Sequence, residues 1–230
     1  MKTIAQNLTT VQANIIAAAE RFCRDGDEIK LLAVSKHQPL PVIRQAIAAG
    51  QRCFGESYAQ EALAKITALA HESLEWHFIG PIQTNKTRLI AEHFNWVHSV
   101  CRLKIAQRLN EQRLAHLPPL NVCIQINVSN EAHKQGINLV ELIKLAQAIQ
   151  QLPKLKLRGL MMIPALTESL QHDPKPFRLL RETLQELNKQ GFQLDTLSMG
   201  MSADYELAIA EGSTMVRIGT ELFGKREDLR

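Results

Sequence analysis

The sequence predicts a single (β/α)8 barrel of the TIM type carrying one extra helix at its amino terminus, and three observations lead there. Short apolar runs of strand character alternate with amphipathic helical stretches from Lys30 to the end of the chain. Eight strand candidates are present, each followed by a helix or helix-like segment, the number that closes a barrel of this kind. No shift of composition marks a linker, so residues 1–230 read as one domain. An open doubly wound sheet is the alternative that alternation alone leaves standing.

The elements follow in order. Ile4, Leu8, Val11, Ile15 and Phe22 recur at helical spacing, and Thr3 with Gln6 forms a capping-box pattern. Leu31 to Ser35 is the first strand; Pro39 and Pro41 break it, and a helix marked by Val42, Ile43, Ala46 and Ile47 ends at Gly50. Gln51 to Phe54 is a strand closed by Gly55, with a helix from Ser57 to Leu69. Glu75 to Ile79 is a strand closed by Gly80, with a helix from Thr84 to His93. Asn95 to Val100 precedes a helix bearing Leu103, Ala106 and Leu109. Asn121 to Val128 precedes a helix from Leu139 to Leu152, opened by Asn138 and Glu141 and ended by Pro153. Leu157 to Ile163 leads, through a polar loop spanning Pro164 to Pro176, into a helix that stops at Gly191. Thr196 to Met199, a short helix from Ala203 to Ala210, Thr214 to Ile218 and a last helix near Glu221 complete the alternation.

Composition narrows the function. Hydrophobic residues make up 45% and charged residues 22%, with no apolar run of spanning length. Lys2, Glu20, Arg21 and Arg24 interrupt the amino-terminal stretch, which excludes a secretory apolar region there and gives the expectation of a cytoplasmic protein with no membrane partner. The net charge of +4 is interspersed rather than clustered and aromatics are 5%, which argues against nucleic acid and suits a small phosphorylated ligand. Four widely spaced cysteines and eight histidines without HxxxH or HxH spacing give the expectation of no metal site.

Barrels of this class carry their chemistry at the carboxyl ends of the strands. Lys36 ends the first strand. The other ends are rich in small and hydroxyl residues and poor in carboxylates, unlike a glycosidase or a two-metal hydrolase. Phosphate sites in barrels are built by the loops after strands seven and eight. Here those loops are Gly200-Met201-Ser202 and Gly219-Thr220, with Arg217 between them. A lysine facing such a cradle across the mouth suits a phosphorylated aldehyde held as a Schiff base, and pyridoxal 5′-phosphate is the obvious ligand. A barrel binding another phosphorylated ligand, with Lys36 structural, stays open.

The segments AVSK (33–36), FGESYAQE (54–61), HFIGPIQTNK (77–86), HSV (98–100), KQGI (134–137), RGLMMIP (158–164), LSMGMSADYELAI (197–209) and GSTMVRIGTELFGKR (212–226) resemble the pyridoxal phosphate homeostasis proteins. The barrel of that family is similar to the amino-terminal domain of alanine racemase. The resemblance implies that Lys36 forms a covalent aldimine with pyridoxal 5′-phosphate, that Ser202, Gly219 and Thr220 hold the phosphate, and that Arg217 faces the pyridine nitrogen. It further implies that Met201 and Ile218 line the ring and the phosphate loop. Ser57 stands where the family usually shows Asn, so its contact with the ring would pass through water, and Cys101 stands where an Asp is usual.

An always-charged guanidinium beside the ring nitrogen weakens the ring as an electron sink. The resemblance therefore implies a carrier that keeps intracellular vitamin B6 in balance with little amino-acid turnover. Its partners would be the cofactor and the apo-enzymes that accept it. The chain would act as a monomer, lacking the dimerising second domain of racemases. An amino-acid racemase or decarboxylase is the alternative. Tyr58 and Tyr205 are expected in packing or surface roles, Lys86 and Lys134 are candidates for transfer or phosphate contact, and His37 could relay protons.

Overall fold

The computed structural model describes residues 2–128, 135–164 and 173–224. Eight parallel strands close into a barrel in chain order: Lys30–Val34 (β1), Cys53–Glu56 (β2), Glu75–Phe78 (β3), Trp96–Val100 (β4), Leu120–Gln125 (β5), Leu155–Met161 (β6), Thr196–Met201 (β7) and Met215–Ile218 (β8). Closure is made by β1 on β8, with Leu32 opposite Arg217 and Ala33 opposite Ile218. The helices are Ile4–Arg21 (α1), Leu40–Ala48 (α2), Ala59–Ala68 (α3), Thr87–His93 (α4), Leu103–Gln112 (α5), Leu139–Gln150 (α6), Lys175–Lys189 (α7), Tyr205–Ala210 (α8) and Thr220–Phe223 (α9). None of the described helices is long and apolar enough to cross a membrane.

Helix α1 is the extra amino-terminal helix. Both bonds of its capping box form, Gln6 N–H to Thr3 Oγ1 and Thr3 N–H to Gln6 Oε1. Its Leu8, Val11 and Ile15 stripe is buried where α1 meets α2, α8 and α9. Burial of each such side chain stabilises by about 1.5–3 kcal/mol.

Alternation along the strands separates two interiors. Outward residues such as Leu31, Ala33, Phe54, Phe78, Val97, Leu160, Val216 and Ile218 join the helix stripes in one apolar core. The inward set is mixed: Leu32 and Val34 of β1 are apolar, while many of the other inward positions are polar. It includes Lys30, Glu75, His77, His98, Ser198 and Arg217, beside a small separate apolar group of Trp96, Cys123 and Met161.

Several boundaries differ from the sequence expectation for physical reasons. Gly55 lies inside β2 rather than after it, at an inward position where a Cβ would stand 3.2 Å from the Leu32 side chain and 3.3 Å from Ile79. Strand β5 ends at Gln125, and Ile126 makes only an isolated bridge to Ile137. The stretch Thr84–Lys86 is a 3-10 turn ahead of α4. Pro176 falls in the first turn of α7, where its missing N–H costs nothing, rather than in the preceding loop. Strand β7 runs on to Met201 and α8 starts at Tyr205, because Met201 and Asp204 close a turn between them: Asp204 N–H donates to Met201 O at 3.0 Å and Met201 N–H to Asp204 Oδ1 at 2.6 Å.

Candidate functional site

Lys36 is half-buried in the turn that follows β1, on the inward parity of that strand after Lys30, Leu32 and Val34. The turn is held from behind, in the layer between the barrel and α3. Lys65 Nζ donates to Ser35 O at 2.7 Å, to Glu56 Oε1 at 2.7 Å and to Glu61 Oε1 at 2.6 Å. Ser35 Oγ donates to Glu56 Oε1 at 2.6 Å, and His37 N–H donates to Glu61 Oε1 at 2.6 Å. Gln38 N–H adds a bond to Ser35 O at 3.0 Å. Backbone groups on both sides of Lys36 are thus fixed, and His37 is held at φ 63°, a left-handed conformation unusual for its type. Burial pushes the Glu56 carboxyl above the usual range against the pull of Lys65 and the two hydrogen bonds, and Glu56 Oε2 has no hydrogen-bond partner.

The two candidate phosphate loops come next. Because β1 pairs directly with β8, they lie beside the Lys36 strand; the expectation of a cradle across the mouth is corrected by the closure of the barrel. Gly200 takes φ +94°, and a Cβ there would meet Ala208 Cβ at 2.7 Å, so the loop seats closely on α8. Ser202 is half-buried and Thr220 is exposed at the start of α9, where the first amides have no acceptor within the helix. The loop carboxylate, Asp204, is occupied by the Met201 amide. Hydroxyls, amides and a guanidinium make a donor set that fits a phosphate and an unprotonated ring nitrogen.

Arg217 is 4% exposed, beneath these loops. Its Nη2 donates to Met162 O at 2.8 Å and its Nη1 to Ser198 Oγ at 2.9 Å. Burial lowers its pKa to about 10, with Asp204 and Cys123 opposing, so it stays charged at neutral pH. From Ser198 a hydrogen-bonded line descends the barrel: His98 Nδ1 to Ser198 Oγ at 2.8 Å, His77 Nδ1 to His98 Nε2 at 2.9 Å, His77 Nε2 to Glu75 Oε1 at 2.7 Å, and Lys30 Nζ to the same Oε1 at 2.8 Å. Burial lowers the pKa of His77, and burial with His77 and Arg217 nearby lowers that of His98 well below the ordinary value. The His77 hydrogen bond and the Lys30 ammonium hold Glu75 far below the usual carboxyl range, against burial.

The other predicted residues fall as follows. Ser57 is half-buried, with its carbonyl so close under Gly80 that a Cβ there would stand 2.2 Å from it. The Ile218 side chain points into the outer core, which leaves only its backbone for a ligand. Met201 is half-buried with its amide taken by Asp204. Tyr58 is exposed beside the His37 ring, at 4.9 Å, and Tyr205 packs in the core. Cys101 is half-buried and Lys86 ends the 3-10 turn; Lys134 lies outside the described residues. Cys53, Glu75 and His77 gather at the barrel floor as a possible metal-ligand group. The Lys30 ammonium already pairs with that carboxylate, and burial pushes the Cys53 thiol up to about 11, so an ammonium and a proton already hold two of the three donors.

Sequence reasoning missed Glu56, Glu61 and Lys65 behind Lys36, the line from Ser198 to Glu75, and Asp204. The first set had a signal, since Glu61 and Lys65 stand at i and i+4 on α3. His77 and His98 had only a weak one, a histidine at an inward position of an apolar strand.

Residues 6–227 match the alanine racemase amino-terminal domain family. The chain is 59% identical over 227 residues, 99% of this chain and 97% of the relative, to a pyridoxal phosphate homeostasis protein of Pseudomonas aeruginosa. Among solved structures it is similar to PipY of Synechococcus elongatus, at 37% identity and TM-score 0.86 without PLP and at 36% and 0.84 with PLP bound; each covers 96% of this chain and 100% of that one. Alanine racemase of Corynebacterium glutamicum shares the fold, with TM-score 0.70 at 18% identity over 96% of this chain and 62% of that one.

Proposed function

We propose, since the chain belongs to the pyridoxal phosphate homeostasis family and shares its alanine racemase-type barrel, that it binds pyridoxal 5′-phosphate and serves vitamin B6 balance. One observation carries this reading: a lysine whose turn is clamped on both sides stands beside two glycine loops, above a buried guanidinium. Lys36 holds the aldehyde carbon as a Schiff base, Ser202, Gly219 and Thr220 with the backbone of Ile218 hold the phosphate, and Arg217 faces the ring nitrogen. The relative PipY, solved with PLP bound, supports the ligand. Borohydride reduction of the loaded protein, followed by peptide mass analysis, tests the linkage, and an unmodified Lys36 overturns it.

The same residues favour holding over turnover. When bound, the cofactor supplies an electrophilic carbonyl and a ring that can accept electrons; Arg217 keeps the ring nitrogen unprotonated and so weakens that acceptance. The whole chain acts as one cofactor-binding domain, a cytoplasmic monomer that releases its cargo to apo-enzymes. Exchange of the α-proton of L-amino acids in heavy water separates the two activities: slow exchange is expected, and rapid exchange would reject the carrier.

A further inference from the structure

We propose that Glu75, His77, His98 and Ser198 form a one-way hydrogen-bond relay that positions Arg217 and ties the ring-nitrogen end of the site to the barrel floor. The identity of the group above Arg217 rests on the reading just given; the relay rests on the protein alone.

The direction of every bond follows from its two ends. A carboxylate only accepts, so His77 Nε2 carries the proton toward Glu75 Oε1. A neutral imidazole has one N–H, so His77 Nδ1 is an acceptor and His98 Nε2 must donate across the 2.9 Å gap. His98 Nδ1 is then an acceptor, and Ser198 O–H donates to it at 2.8 Å. The serine oxygen is left with only lone pairs for Arg217 Nη1–H. Reversal would leave the His77 Nε2 lone pair facing the lone pairs of the Glu75 carboxylate. A second proton on His77 would fall on Nδ1, against the His98 Nε2–H, and one on His98 would fall on Nδ1, where it would turn the Ser198 hydroxyl away.

The surroundings favour this one order. Glu75 also faces Lys30 from β1 and, at 3.6 Å, the Cys53 sulfur from β2. His77 stacks on Trp96 of β4, with ring centroids 5.4 Å apart and planes 8° off parallel. Arg217 faces Asp204 from the turn before α8, Cys123 from β5 and the Met162 carbonyl after β6. Both imidazoles are fully enclosed, and burial keeps them neutral. The guanidinium is therefore placed by groups from β3, β4 and β7, and its hold on the ring nitrogen should not vary across neutral pH.

Two measurements decide it. Nitrogen NMR of the cofactor-free protein with labelled histidine should find both rings neutral and protonated at Nε2; an Nδ1–H form at either ring overturns the relay whatever the ligand is. Spectral titration of the pyridoxal phosphate complex, between about pH 6 and 9, then compares the native protein with Ser198→Ala, Ser198→Thr and His77→Gln. Ser198→Ala should bind about tenfold more weakly and shift the titration, because a bond to a charged group is lost. Ser198→Thr, which keeps the hydroxyl, should return to native behaviour, and His77→Gln should shift in the same direction as Ser198→Ala. Native titration of both Ser198→Ala and His77→Gln overturns the proposal. Failure of the native protein to bind the cofactor at Lys36 overturns the functional reading instead, and the NMR result stands apart from it.

Discussion

Replacing Lys65 by Met tests how the Lys36 turn is held. The Lys65 side chain is 7% exposed, and its ammonium bridges Ser35 O, Glu56 Oε1 and Glu61 Oε1. Met fills much the same space, so the loss is electrostatic. Removing one member of a buried ion pair costs about 3–5 kcal/mol because the other charge is left without compensation. Glu56 would keep only the Ser35 hydroxyl, with Oε2 already unpartnered, and would protonate instead, which places the expected loss near about 3 kcal/mol. The sign with pH follows from burial: the folded carboxyl of Glu56 already titrates above its unfolded value, so its contribution is complete at low pH and is lost as pH rises through the folded value. Without Lys65 the folded value climbs further, and the deficit should grow between about pH 5 and 8. Urea unfolding at several pH values measures this, and the double variant Lys65→Met/Glu56→Gln should recover about 1–2 kcal/mol. A single variant within about 1 kcal/mol of the native protein, or a deficit that shrinks as pH rises, would refute the reasoning.

Other outcomes follow from the same geometry. Gly200→Ala forces a Cβ to 2.7 Å from Ala208 Cβ at φ +94°, so it should cost about 1–3 kcal/mol in urea unfolding and weaken binding of pyridoxal phosphate measured by absorbance. Arg217→Gln removes the charge proposed to face the ring nitrogen; α-proton exchange in heavy water should rise about tenfold, and an unchanged rate counts against the restraining role. Glu75 titrates below its unfolded value, so its contribution is present above about pH 4.3 and is lost as pH falls. Glu75→Gln should therefore flatten the acid limb of a plot of Tm against pH, and an acid limb as steep as the native one would argue that the carboxylate is not held by His77 and Lys30.

The outer half of this fold was legible because it follows apolar periodicity. Leu8, Val11 and Ile15 mark α1, Thr3 and Gln6 start it, and both signals act within a few residues of chain. The placement of Lys36 at the mouth was legible for the same reason, as a strand end followed by prolines. The inner half was not. His98 and Ser198 meet at 2.8 Å across a sequence separation of 100 residues, and no local pattern carries that pairing. Short strands also blur parity: β2 has four residues, so a reading that ends it at Gly55 hides that Cys53 and Gly55 face inward while Glu56 faces α3. Parity matters in the same way at Ile218, whose side chain lies in the outer core one position from the inward Arg217.

The two buried networks solve different problems at neighbouring strands. Behind β1, the charges are close in sequence, and Glu56, Glu61 and Lys65 lock a backbone turn; the bonds of Lys65 and Glu61 go to main-chain atoms on either side of Lys36. Inside the barrel the bonds run between side chains, and they fix the direction of one hydrogen-bond donor on β8. An apolar filling of similar volume would match or exceed a buried polar one in stability, so stability alone does not account for six polar residues on the inward face. Placement does. In the proposed function Lys36 has to be exact in position to receive a covalent bond, whereas Arg217 has to be exact in charge and direction. A backbone clamp answers the first requirement, and a directed chain ending on a carboxylate answers the second.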